Sequence, residues 1–112
     1  MTDFEISTQT LDQLRETFLK MTSPEWDLAL IGKSEEVVNG AAMALLLVQR
    51  ARLRLENAEL TEIRDKLVDN EKGLEEGRTE VNKALDRLDQ IEGALNAITS
   101  FLAIVGRVIS LA

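Results

Sequence analysis

The sequence predicts an all-α fold: a long antiparallel helical hairpin, coiled-coil-like, with a short N-terminal amphipathic helix packed at its apolar base, assembled as an oligomeric helical bundle. Three observations point there. Large aliphatic residues recur every seven positions, at Leu53, Leu60, Leu67, Leu74, Val81, Leu88, Leu95, Leu102 and Ile109. A second row three residues on holds Ile63, Ala84, Ile91, Ile98, Val105 and Ala112, and breaks at Glu56, Asn70 and Gly77. The two rows form the a/d seam of a helix packed lengthwise on another helix. Composition agrees: of the 112 residues 45 % are hydrophobic but only 4 % aromatic, a mix that favours helix over sheet and fits a single domain.

The first helix is expected over residues 8–21. Thr10 with Gln13 reads as its capping box, and Thr2 with Glu5 as a weaker one. Leu11, Leu14, Phe18 and Met21 share one face, while Asp12, Gln13, Arg15, Glu16 and Lys20 take the other. Leu14 and Phe18 are its expected core anchors. A short helix over 24–31 follows, with Ser23 as N-cap, Pro24 at the first helical position, and Glu25 and Asp27 at the positive end of the dipole. The single tryptophan, Trp26, is read as a third core anchor rather than a ligand platform.

Ser34 caps a long helix over 35–69, with Glu35 and Glu36 in its first turn. Asn39-Gly40 is its weak point, since that pair favours turns. Residues 41–48 are apolar on every face, which demands burial all round. Beyond Gln49 only the seam stays apolar, among charges that form pairs such as Glu62–Lys66. Asn70, Gly73 and Gly77 place a turn over 70–78, because each glycine costs a helix about 1 kcal/mol relative to alanine. Thr79 then caps a last helix over 80–112 that would span roughly 50 Å.

Folding about residues 73–74 sets side by side positions whose numbers sum to about 147. The apolar stretch 41–48 then meets 99–106, and the charged halves meet along a narrow seam. The unbroken heptad phase through Leu67, Leu74 and Val81 favours a continuous rod instead. An antiparallel dimer of such rods gives the same matching between chains. Either way the base exceeds what one small helix covers. Its interface, with another copy, a different protein or a membrane, is expected at Leu45, Leu46, Val48, Leu95, Ile98, Phe101, Leu102, Val105 and Ile109.

Chemistry is constrained by what is missing. With no Cys and no His, the chain has no disulfide, no thiolate nucleophile and neither of the commonest metal ligands and general bases. Gly73-x-x-x-Gly77 lacks the Lys-Ser/Thr of a phosphate loop. Glu56, Glu59 and Glu62, with Glu80 or Asp86, read as a solvated charged face rather than a metal site. The net charge of -7 has no basic half or tail, which disfavours nucleic acid. Arg50, Arg52 and Arg54 form the one basic cluster, expected to pair with the acidic last helix near Glu92. The acidic N-terminus lacks the apolar core of a secretory signal.

The expectation is a non-enzymatic interaction protein with no cofactor. It self-associates as a dimer or tetramer through its apolar base and presents a charged coiled-coil arm to a protein partner. A cytoplasmic location is expected. The alternative is membrane association through residues 95–112, a run close to the length that spans a bilayer.

Overall fold

The structure, a computed structural model, describes residues 1–111 and is all-helical, with six α-helices and one 3₁₀ turn among them. The helices are α1 (Asp3–Met21), α2 (Pro24–Leu30), α3 (Glu35–Asn57), α4 (Leu60–Asp69), α5 (Glu71–Leu85) and α6 (Ile91–Val105), the 3₁₀ turn lying at Leu88–Gln90. Ala112, the last residue of the second seam row and of the expected 80–112 helix, lies outside the described residues.

α1 starts five residues before the expected position because Thr2 is its N-cap, with Glu5 three residues on as partner. The Thr2 hydroxyl accepts from the Glu5 amide and donates to its carboxylate, both at 3.1 Å. Thr10 does not cap; it sits buried inside α1 and donates to the Ile6 carbonyl at 2.8 Å. Gln13, expected on the exposed side, is only 3 % exposed and donates to buried Thr17. α1 thus turns a partly polar stripe inward, with its hydrogen bonds satisfied along the helix itself. The caps at Ser23 and Ser34 form as the sequence requires, each hydroxyl accepting from the amide three residues on.

Three boundaries depart from the expected hairpin. The 35–69 helix is broken at Ala58 and Glu59, whose backbones are extended. The expected turn at 70–78 is mostly helix: only Asn70 separates α4 from α5, and Gly73 and Gly77 lie within α5. The chain reverses instead at 86–90, where Arg87 and Gln90 leave helical geometry and the Arg87 and Gln90 amides bond to the Ala84 and Arg87 carbonyls.

The glycines serve close packing rather than reversal. A Cβ at Gly77 would stand 2.7 Å from the Phe101 ring, so α5 and α6 approach closely only because that position is bare. Gly73 faces Ile104 in the same way, at 3.5 Å. These pairs set α5 antiparallel to α6, the most extensive helix pair in the molecule. α1 lies along α5 in the same direction, joined by Met1–Glu71 and by Arg78 donating to Gln9 at 2.6 Å. α4 and the C-terminal half of α3 run back along α1, through Asp3–Arg64 at 2.9 Å, Arg15–Glu56 at 3.1 Å and Arg52 over the Phe18 ring at 5.4 Å. The N-terminal half of α3 reaches α6, where Val37 and Gly40 share a groove with Leu95 and Thr99. The register summing to 147 is therefore not the one this fold uses.

α3 enters the core with its small residues. Ala41, Ala44, Val48, Ala51 and Leu55 are all buried, an a/d row in its own right. The sevenfold ladder is buried at Leu67, Leu74, Val81, Leu102 and Ile109, half-buried at Leu60, Leu88 and Leu95, and exposed at Leu53. The reason is phase: the row that α3 buries starts at Ala41, so Leu53 faces outward.

Candidate functional site

Most of the expected interface is spent inside the chain. Val48, Ile98, Phe101, Leu102, Val105 and Ile109 are at most 8 % exposed in the chain's own core. Leu45 and Leu95 are half-buried against that core, and only Leu46 is open, at 49 %. The expectation that something outside the chain must bury the rest of the apolar base is thus corrected for the six buried residues, and is left standing at Leu46. α6 is 15 residues long and buries six of them, and the chain after it folds back so that Val108 and Ile109 are also covered. Among the described residues no helix is long and apolar enough to cross a membrane. Of the expected anchors, Leu14 and Trp26 are buried, and Phe18 is half-buried beneath the Arg52 guanidinium.

Large apolar residues stay open at Phe4, Leu19, Leu28, Ile31 and Val68, and as a row along a single helix on the outward side of α3. With alanines turned in, the larger residues between them turn out. Met43 is 57 % exposed, Leu46 49 %, Leu53 44 % and Val38 40 %. Ala42, Asn39 and Gln49 complete the row, also exposed. The alanine periodicity at 41, 44 and 51 is the sequence signal that assigns the inward face. It goes unused when the heptad is counted from Leu53, and Met43, Leu53 and Val38 are therefore missed. From Val37 to Gln49 no residue carries a charge, although the chain as a whole carries -7.

This neutral tract lies between opposite charges. Glu35 and Glu36 stand exposed at its N-terminal end. At its C-terminal end Arg50 and Arg54 donate to the backbone carbonyls of Leu111 and Ser110, at 2.9 and 2.7 Å. These bonds hold the guanidinium groups in place while leaving their positive charge beside the tract. The expected Glu92 pairing is not the one that forms. Arg52 turns instead to Glu56, which it shares with Arg15.

Elsewhere the surface offers little chemistry. The α5–α6 groove, about 420 Å³, is floored by Gly73, Gly77, Gly93 and Ala97. Among the described residues no three His, Cys, Asp or Glu side chains converge on a common point. Among the described residues, two carboxyl groups are displaced from their ordinary pKa. A hydrogen bond from Arg64 holds Asp3 below the usual range, and one from Lys20 does the same to Glu25. Both belong to surface ion pairs.

No protein-family model matches the chain, and comparison with curated proteins and with solved structures gives no match.

Proposed function

We propose that this is a non-enzymatic helical protein that acts by self-association, pairing through the outward side of α3. The observation that carries the reading is the open row of Met43, Leu46 and Leu53 in a tract without charge. Scattered exposed leucines are ordinary on any protein, but an apolar row along one helix is a feature of helix-pairing surfaces. In an acidic chain such a tract is also where two copies meet with least like-charge cost.

This reading keeps Leu46 and the 41–48 half of the expected apolar base as the interface and leaves out residues 95–109, which the chain's own core buries or half-buries at the expected positions. It also dispenses with a projecting charged arm, since α4 and α5 lie against α1.

The test is sedimentation or light scattering of the intact chain beside Leu46→Asp. The wild type is expected to be dimeric at micromolar concentration. Leu46 is half exposed already, so the variant keeps its helix content. Removing the leucine from both copies forfeits about 2 kcal/mol of burial and brings two carboxylates together, weakening association at least roughly thirtyfold. A wild-type monomer at that concentration overturns the proposal, as does a Leu46→Asp dimer of unchanged affinity. Co-sedimentation of the wild type, but not of Leu46→Asp, with phospholipid vesicles would assign the same row to a membrane surface instead.

A further inference from the structure

We infer that two copies pair antiparallel through α3, about a two-fold axis near Leu46, with Glu36 of each copy set against Arg54 of the other. The inference rests on the self-association reading above and adds to it the partner geometry. α3 is electrically asymmetric along its length: acidic at Glu35 and Glu36, neutral from Val37 to Gln49, and net basic beyond, where Arg50, Arg52 and Arg54 outnumber Glu56. A parallel pair would lay the acidic end on the acidic end and the basic end on the basic end, with repulsion at both. An antiparallel pair centred on the neutral tract sets each acidic end against a basic one.

The helical phase agrees. Asn39, Leu46 and Leu53 are spaced by sevens along the outward row, so an axis at Leu46 faces Leu46 with itself and Asn39 with the other copy's Leu53. Glu36 and Arg54 stand eighteen residues apart, five full turns, and so flank that row on the same side. A two-fold axis across the helices keeps each flank on its own side. Glu36 therefore arrives within a turn of the opposing Arg54, inside the reach of two long side chains. Both are exposed, and the Ser110 carbonyl, accepting from Arg54 at 2.7 Å, holds that guanidinium without neutralising its charge. Pairing about one two-fold is isologous and closes at two copies.

The chain contains no cysteine, so single-cysteine variants report contacts without background. Leu46→Cys alone should form a disulfide-linked dimer under mild oxidation. Asn39→Cys and Leu53→Cys should each stay uncrosslinked alone and crosslink when mixed. In parallel, Glu36→Lys and Arg54→Glu should each weaken the dimer roughly tenfold, since symmetry counts each reversed pair twice, and the double variant should return to within about threefold of wild type. Circular dichroism of each variant checks that the monomer is intact. Self-crosslinking of Asn39→Cys and of Leu53→Cys alone means a parallel pair and overturns the inference while leaving self-association standing. A wild-type dimer that crosslinks at none of the three positions overturns it as well, and places the interface off α3. A charge-reversal pair with no mutual rescue removes the Glu36–Arg54 contact. A monomeric wild type fails at the earlier step, and sedimentation identifies that before any crosslink is attempted.

Discussion

At the scale of single residues, Gly40 and Gly77 act in opposite ways, and the difference is testable. Gly77 lies in the middle of α5 with the buried Phe101 ring against it, so a methyl group there meets the ring at 2.7 Å. Gly40 lies in the sixth position of α3, and a methyl group there meets nothing within 4 Å. Alanine should gain about 1 kcal/mol of helix propensity at either site. At Gly40 nothing opposes that gain, and Gly40→Ala should raise the midpoint of chemical denaturation. At Gly77 overpacking of a rigid, enclosed ring costs about 1–3 kcal/mol, and Gly77→Ala should lower the midpoint on balance. Replacing Phe101 by leucine makes room, so the penalty of Gly77→Ala should shrink in the Phe101→Leu background; an unchanged penalty would mean the ring is not what the methyl group meets. Sequence alone does not separate the two glycines. A glycine that breaks a helix and one that lets a neighbouring helix approach read alike until the neighbour is known, which is why Gly73 and Gly77 point to a turn on paper and to the α5–α6 contact in the fold. The same holds for Leu53, whose place in a sevenfold ladder gives no hint that the ladder changes face at α3.

At the scale of elements, starts are written in the sequence more clearly than stops. Ser23-Pro24 and Ser34-Glu35-Glu36 place the starts of α2 and α3 because a cap is a local hydrogen bond among neighbours in the chain. The break at Ala58 and the reversal at 86–90 contain no glycine or proline, so no local residue announces them. Across the reversal Leu85, Leu88, Ile91 and Leu95 keep helical three- and four-residue spacing, so the pattern reads straight through it. α1 shows how a distant contact reinforces a local cap. Its first turn is fixed to α4 by Arg64 on Asp3, and that bond depresses the Asp3 pKa. A carboxyl group depressed in the folded state stabilises it at pH above its unfolded value and loses that contribution as pH falls through its folded value. Acid should therefore loosen the α1–α4 clasp, and only below the ordinary aspartate range. Carbon-detected NMR titration of the Asp3 carboxyl should give a lower midpoint in the wild type than in Arg64→Ala. Equal midpoints would show that Arg64 does not hold it.

At the scale of the whole molecule, α1 is the element on which the others converge, since α2, α3, α4 and α5 all pack against it. Sequence gave it the role of a cover on a hairpin base. Its central place follows from two facts that the heptad count from Leu53 does not display: the buried row of α3 is mostly alanine, at Ala41, Ala44 and Ala51 beside Val48 and Leu55, and the buried stripe of α1 is partly polar, at Thr10, Gln13 and Thr17. A core built that way is thin, and the net stability of a chain this size is about 5–15 kcal/mol. Leu14 is fully buried at the middle of α1, and truncating it to alanine should cost about 2–5 kcal/mol, lowering the melting temperature by at least about 8 °C. The manner of unfolding is the sharper test. If α1 ties the molecule together, no pair of helices is a stable unit without it, and the chain should melt in one step. Trp26, buried in α2 beside the 3₁₀ turn, is the single tryptophan and reports on that end of the fold, while far-ultraviolet ellipticity reports on all six helices. The two signals should give one midpoint in the wild type and one lower midpoint in Leu14→Ala. The Leu46→Asp background keeps association from adding to either. If ellipticity instead retains a second, later transition in Leu14→Ala, the α5–α6 pair stands alone, and α1 is a cover after all.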